Sequence, residues 1–488
     1  MRVGIGRFIP PGGKGRSVAS ATTAVVLMGC AVLEANRREG KSNTECKSAP
    51  RYAGEVQDVL IVGGGIIGTS LAAHLVVAPG KLGNPQLNCG SFGHEFSKPT
   101  PLRVTLLEKQ SIASEATGLS AGTIHSAGPL KSELPLDNSL ARTFTFAHIS
   151  NKLYEHLESS LEVGYTKCGS IHLACNQEEK KWAARKAEIY TSHAEDSSGV
   201  RFLESKEKVG QIVPVAQDVV GGTFIRDSAQ VNAGLATHAL ADMASEAGAN
   251  IVENASVTSL ERDASDIYNV TTSSGDVYRA RNVVVASGAW INDVLPKALH
   301  QPVRPVKGLI TMSNDQVPST SLEALPVVYF VESEIKKASL KTSPMCITVD
   351  ADNNPLYDHA YGKRGADGRF YFGASRMHPA HDRDYAVDES NLRRVMNSKV
   401  FAAIPALRPH FEGDGTGSWA GLMPFSEDNK PIIDVVDGKG LYVASGFGAF
   451  GICWGPGTTL FLAQWLRGGV RPRILDGFGA TRFKSKKS

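Results

Sequence analysis

In Asp58-Val59-Leu60-Ile61-Val62-Gly63-Gly64-Gly65-Ile66-Ile67-Gly68, an apolar run rich in branched residues passes directly into a glycine cluster. The run has the composition of a strand buried on both faces of a parallel sheet. Residues 69–77 have helical composition, so Gly63, Gly65 and Gly68 stand between a strand and a helix. That is the context in which G-x-G-x-x-G binds a dinucleotide. Gly63 permits the tight turn, Gly65 lets backbone approach a pyrophosphate, and Gly68 lets the helix pack close to the sheet. The helix N-terminus then faces the phosphates, with Ile66 and Ile67 beside them.

The next strand is Arg103-Val104-Thr105-Leu106-Leu107-Glu108-Lys109, and Glu108 at its end is the candidate for a ribose hydroxyl. It lies 40 residues past Gly68, against a usual spacing of ~20. The excess, residues 78–101, is rich in Gly, Pro, Asn and Ser and reads as a surface insertion. Beyond it, residues 114–128 are dominated by small side chains and end in Gly122-Thr123-Ile124-His125-Ser126-Ala127-Gly128. Such a backbone could pass close to a flat ring system. A flexible Gly/Ser loop is the alternative.

This segment resembles the flavin-contacting loop of the FAD-dependent oxidoreductases related to D-amino-acid oxidase. That family includes glycine oxidase and the sarcosine and dimethylglycine dehydrogenases. The same stretch is also similar to L-2-hydroxyglutarate dehydrogenase. The likeness continues through Cys168-Gly169-Ser170-Ile171-His172-Leu173-Ala174 and Asn282-Val283-Val284-Val285-Ala286-Ser287-Gly288-Ala289-Trp290. It is most specific in Ser418-Trp419-Ala420-Gly421-Leu422-Met423-Pro424 and Gly446-Phe447-Gly448-Ala449-Phe450-Gly451-Ile452, the latter leading into a helix over 458–466.

The resemblance implies an α/β fold. A Rossmann-like FAD-binding domain of the glutathione-reductase type (51–150, 226–302 and 413–470) interleaves with an antiparallel-sheet substrate domain (151–225 and 303–412). A tail follows at 471–488. The cofactor implied is FAD. Its contacts would come from the first glycine turn, from Glu108 and Lys109, and from Thr117, Gly118, Ser120, Ala121, Gly122 and His125. Val257 would meet the adenine, followed by Ser287, Gly288, Trp290 and Gly421. The second turn adds Gly446, Gly448, Phe450, Gly451 and Ile452.

The chemistry so implied is hydride transfer to flavin from the carbon of a C–N bond in an amine or N-methyl amino acid. Oxidation of a 2-hydroxyacid is the alternative, and a non-catalytic flavoprotein assembly factor is another. The resemblance makes His125 either a covalent flavin attachment point or a noncovalent flavin or substrate neighbour. Arginines that clamp a carboxylate in glycine oxidase correspond here to Met423 and Ala449. Arg376 and Lys307 are therefore the candidate replacements, because a guanidinium or ammonium is the natural carboxylate partner.

Composition is that of a globular protein. The chain has 488 residues, 52 basic against 49 acidic, and a net charge of +3, which gives no reason to expect a nucleic-acid partner. Seven scattered cysteines show no zinc-ligand spacing, so no metal is expected. Residues 1–50 are basic, then apolar, with no acidic residue before Glu34. They read as an organellar (mitochondrial) transit peptide, a secretory signal or membrane anchor, or a disordered tail.

Overall fold

A computed structural model of the chain describes residues 55–83, 101–131, 139–216, 218–316, 325–330, 360–412 and 417–486. The leader expected at 1–50 and most of the insertion expected at 78–101 lie outside these residues. Strand β1 (Val56–Val62) runs parallel to β2 (Val104–Leu107) on one side and β11 (Val277–Val285) on the other. β2 pairs parallel with β8 (Asn250–Val252), and β11 with β18 (Leu441–Ser445). A meander of β9 (Val257–Arg262) and β10 (Tyr268–Thr272) joins β11, and β17 (Ile432–Val435) closes the other edge antiparallel to β18.

The continuous apolar character of β1 has a simple cause. Val59 and Ile61 project into the core beneath the helices, whereas Leu60 and Val62 project into a second core on the opposite face. A strand covered on both sides carries no polar alternation. The longer helices are α1 (Ile66–Val76), α2 (Ser139–Leu161), α3 (Gln177–His193), α4 (Ala233–Glu246) and α5 (Gly451–Gly468). α1 packs on α4 and α5, and α5 packs on α2. No helix among the described residues is long and apolar enough to cross a membrane.

The second sheet has the order β16-β12-β15-β14-β13-β4-β6-β5. Its strands are β4 (Ser170–Ala174), β5 (Val200–Leu203), β6 (Gly221–Ile225), β12 (Val303–Met312), β13 (Val327–Phe330), β14 (Ala360–Arg364), β15 (Phe370–Met377) and β16 (Ser418–Ser426). All neighbours are antiparallel except β13 and β4, which are parallel. Two short strands, β3 (Thr123–Ile124) and β7 (Ala229–Gln230), form a separate ribbon.

Two expected boundaries move. The resemblance places residues 418–426 in the nucleotide-binding part, but β16 pairs along its whole length with β12 and so belongs to the second sheet. The boundary at 150 cuts α2, whose buried stripe of Phe146, Ile149, Leu153 and Leu157 keeps the entire helix in the first domain's core.

The last helix also begins earlier than residue 458. α5 starts at Gly451 and contains Pro456. Proline offers no N–H, so the carbonyl of Ile452 loses its helical donor. The hydroxyl of Tyr154 replaces it, donating to that carbonyl at 2.9 Å. Tyr154→Phe is therefore expected to lower stability by about 1–3 kcal/mol, the cost of an unsatisfied buried carbonyl. The shift in the denaturant midpoint measures it, and an unchanged midpoint would show that the bond contributes nothing.

Candidate active site

The first glycine turn is built around two close approaches. Gly63 adopts φ +120°, and a Cβ there would lie 2.6 Å from the carbonyl oxygen of Ala286 at the end of β11. A Cβ on Gly68 would lie 1.9 Å from the carbonyl oxygen of Gly63. The turn is thus pressed against both the neighbouring strand and its own helix. The Gly64 N–H donates to the Glu108 carboxylate at 2.6 Å, and the Gln110 N–H donates to the same group at 2.8 Å. The N–H of Ile66 donates to Thr117 Oγ1 at 3.1 Å. Gly65 has no side chain of its own to cap the helix, and with Ile66 and Ile67 it lines the space in front of the turn.

That space is a cavity of about 1030 Å³. Of the residues read from the sequence, Gly63, Gly65, Ile66, Ile67, Glu108, Lys109, Thr117, Ser120 and Ala121 line it. So do His125, Val257, Ser287, Gly288, Trp290, Arg376, Gly421, Gly448, Phe450, Gly451 and Ile452. Gly68, Gly118, Gly122 and Gly446 do not line it; Gly68 lies in the first turn of α1 and the other three in loops. Ser287 Oγ and Asn429 Nδ2 lie buried at this wall with no hydrogen-bond partner among the described residues. Buried polar atoms without partners call for a polar ligand. A helix start whose N-cap residue is a glycine, a carboxylate at the end of β2 and glycines where backbone must come close fit FAD.

The second sheet forms the opposite wall. Register pairs His172 with Tyr329, Tyr329 with Tyr361, and Tyr361 with Gly373. Directly paired residues project to one face. Their neighbours Ile171, Leu173, Val328, Phe330 and Phe372 fill the core on the other face. The result is an aromatic row. His172 stacks on Tyr329 at 4.7 Å and 13°, and Tyr329 on Tyr361 at 5.8 Å and 20°. His125 adds a tilted contact with Tyr329 at 4.3 Å. A Cβ at Gly373 would strike the Tyr361 ring at 2.2 Å, so glycine there leaves room for the phenol.

A bulge decides which cation enters the cavity. Leu309 pairs with Ala374 and Lys307 with Met377, so β15 spends one residue more than β12 over this interval. Ala374 and Met377 both face the core, which turns Arg376 to the cavity side. Lys307, paired with Met377, projects away from the cavity. This corrects the expectation that it could hold a ligand. Its ammonium donates to the Asp384 carboxylate at 2.7 Å and to the Ala386 carbonyl at 3.1 Å. Burial works against the Asp384 carboxylate, but Lys307 and the N–H groups of Ala380 and Ala386 hold its pKa below the usual range. Removing one partner of so buried a pair would strand the other.

Arg376 is buried and lies over the Phe425 ring at 5.8 Å. Burial lifts the nearby Tyr361 phenol to about 12, while the Arg376 charge pulls the other way. The Cys453 thiol is buried, pushed up to about 12, and donates to the His125 carbonyl at 3.4 Å. His172, Tyr329 and Tyr361 were not among the candidates read from the sequence. The signal was there in part: in Ser170-Ile171-His172-Leu173-Ala174 the imidazole interrupts an apolar run at the spacing of one sheet face.

A family model described as FAD-dependent oxidoreductase matches residues 58–465. The chain is 25% identical over 432 residues to glycine oxidase of Geobacillus kaustophilus (strain HTA426), covering 88% of this chain and 98% of that one. It is 24% identical over 461 residues to the mitochondrial dimethylglycine dehydrogenase of Homo sapiens, covering 91% of this chain but 46% of that protein. Among solved structures, L-proline dehydrogenase from P. horikoshii superposes with a TM-score of 0.66 at 20% identity, covering 88% of this chain and 98% of the other.

Proposed function

Because the chain belongs to the DAO family of FAD-dependent oxidoreductases, we propose that it oxidises the C–N bond of an amine or N-methyl amino acid that carries a carboxylate. The observation that carries this reading is Arg376. The bulge in β15 turns this one buried guanidinium of the second sheet's central strands onto the cavity wall, beside an aromatic row. A buried guanidinium beside a row of aromatic rings is suited to a carboxylate. The relatives named for glycine and dimethylglycine oxidation support the same substrate class.

Bound FAD supplies the two-electron acceptor. The chain supplies the rest. The N-terminus of α5, with Gly451 and Ile452 in the wall, would hold the flavin ring and offer it partial positive charge. Tyr329 and Tyr361 line the wall and would exclude water from the carbon of a substrate bound against them. His125 stands beside the cofactor-binding loop, with its imidazole against Tyr329.

The test is anaerobic mixing of the holoenzyme with glycine, sarcosine, dimethylglycine, L-proline and L-2-hydroxyglutarate. Bleaching of the flavin band by one or more of the amines is expected. Bleaching by hydroxyglutarate alone would move the reaction to a C–O bond. No bleaching with any compound would overturn the reading in favour of a non-catalytic flavoprotein.

A further inference from the structure

The order of the strands places the two halves of a dinucleotide along the cavity. Gly63 follows β1, Ser287 follows β11 and Gly446 follows β18, while Lys430 comes just before β17. Because β17 is antiparallel to β18, its start lies at the same end of the sheet. The spatial order is β17-β18-β11-β1-β2, so Lys430 lies on one side of the Gly63 turn and Glu108, after β2, on the other. A pyrophosphate at the start of α1 then leaves the ribose near Glu108 and sends the riboflavin half across β11 and β18 toward residues 428–430.

This turn also borders the glycine turn that leads into α5. Phe425 bridges Phe447, and a Cβ on Gly446 would lie 3.1 Å from Ser426 Cβ and 3.5 Å from the Lys430 carbonyl oxygen. Asp428, Asn429 and Lys430 all line the cavity. Asn429 is held at φ +58°, a left-handed conformation uncommon outside glycine. Lys430 is half-buried, and its ammonium has no hydrogen bond or ion pair among the described residues. Two other cations of the cavity wall, Arg185 and Arg383, are paired with Glu188 and Asp293.

Arg482, which does not line the cavity, fixes the turn from behind. Its Nε and Nη2 donate to the two Asp428 oxygens at 2.8 and 2.9 Å, a fork on one carboxylate. Nη2 also donates to the Lys430 carbonyl at 2.9 Å, and Nη1 to the Gly479 carbonyl at 2.9 Å. Asp428 accepts in addition from the Lys430 N–H at 3.3 Å and the Ser426 hydroxyl at 3.2 Å. Burial opposes the charge on Asp428, yet Arg482 and these donors hold its pKa below the usual range. One guanidinium thus grips both ends of the segment from which Lys430 projects.

We infer that Lys430 sets a cation beside the riboflavin half of the cofactor, and that Arg482 is its positioning residue. Attraction between opposite charges then favours the reduced, more electron-rich ring and raises its potential. The inference rests on the family's cofactor and not on which amine is oxidised.

The experiment therefore omits the substrate. The midpoint potential of the flavin in the holoenzyme is measured by equilibration with a redox dye of known potential. Lys430→Met should shift the flavin about tenfold toward the oxidised form, a fall of about 30 mV for a two-electron couple. Lys430→Arg should keep the native potential. Arg482→Met should reproduce the fall, Arg482→Lys should recover part of it, and the double variant Lys430→Met/Arg482→Met should fall no further than Lys430→Met alone. Asp428→Asn weakens the same fork and tests the grip where Arg482→Met does not fold. A potential unchanged in Lys430→Met would overturn the assignment. So would a loss of FAD affinity in titrated apoprotein with the potential unchanged, which would move the cation to the pyrophosphate. Native potentials in Arg482→Met and Asp428→Asn, or an additive double variant, would reject the role of Arg482. Failure of the amine panel would leave every one of these readouts intact, so the two readings fail separately.

Discussion

Gly63→Ala should yield a folded chain that purifies without its yellow colour. Three features of one position act together. The native φ of +120° is closed to an L side chain, the Cβ would stand 2.6 Å from the Ala286 carbonyl oxygen, and that oxygen is backbone that cannot swing aside. Strain of this kind costs on the order of 1–3 kcal/mol, and overpacking adds a similar amount. The relief available is to move the turn away from β11, which displaces the N–H groups at the start of α1 from the phosphates they would meet. FAD affinity should fall about 100-fold or more, at about 1.4 kcal/mol for each factor of ten. The ratio of flavin to protein absorbance after desalting, and a titration of FAD into apoprotein, report it. Gly210→Ala is the control, because nothing lies within 4 Å of the added carbon and its φ is not positive. A Gly63→Ala chain that retains full flavin would remove this turn from the binding site.

The same residues show why some of the molecule could be read from sequence and some could not. The β1–turn–α1 unit is local. Its apolar run, its glycines and its helix all fall within 58–77, and each constrains the next. Chain distance hid Glu108 only slightly, since a strand that ends in a carboxylate still announces itself after an insertion. Residues 418–426 are different. Nothing within Ser418–Ser426 says whether its partner will be β12 or β18, and pairing over long separation is set by the whole sheet. Face assignment on β15 is harder again. A one-residue bulge exchanges the two faces. Arg376 and Lys307 therefore look equivalent in sequence, yet one reaches the cavity and the other an ion pair with Asp384. His172 was missed for a related reason: only the parallel pairing of β4 with β13, across 157 residues of chain from His172 to Tyr329, places it beside that tyrosine.

The bulge makes a sharp test of the proposed chemistry. Arg376→Ala should raise KM for a carboxylate-bearing substrate about 100-fold, with a much smaller change in kcat. A charged, well-oriented hydrogen-bonded pair in a desolvated site is worth roughly 2–5 kcal/mol when one partner is truncated. The loss falls on KM because a carboxylate remote from the reacting bond is held equally in the ground state and the transition state. Arg376→Lys should recover only part of the loss, since an ammonium keeps the charge but cannot form the two parallel bonds of a guanidinium. An amine without a carboxylate should react weakly with the native enzyme and no more weakly with the variant. Stopped-flow flavin reduction, run across a concentration series of the best substrate from the anaerobic panel, separates these parameters. An apparent affinity unchanged in Arg376→Ala would reject the anchoring role. The second sheet would then orient its substrate by the aromatic row alone, and the bulge that turns residue 376 inward would have to be explained by the packing of Arg376 over Phe425.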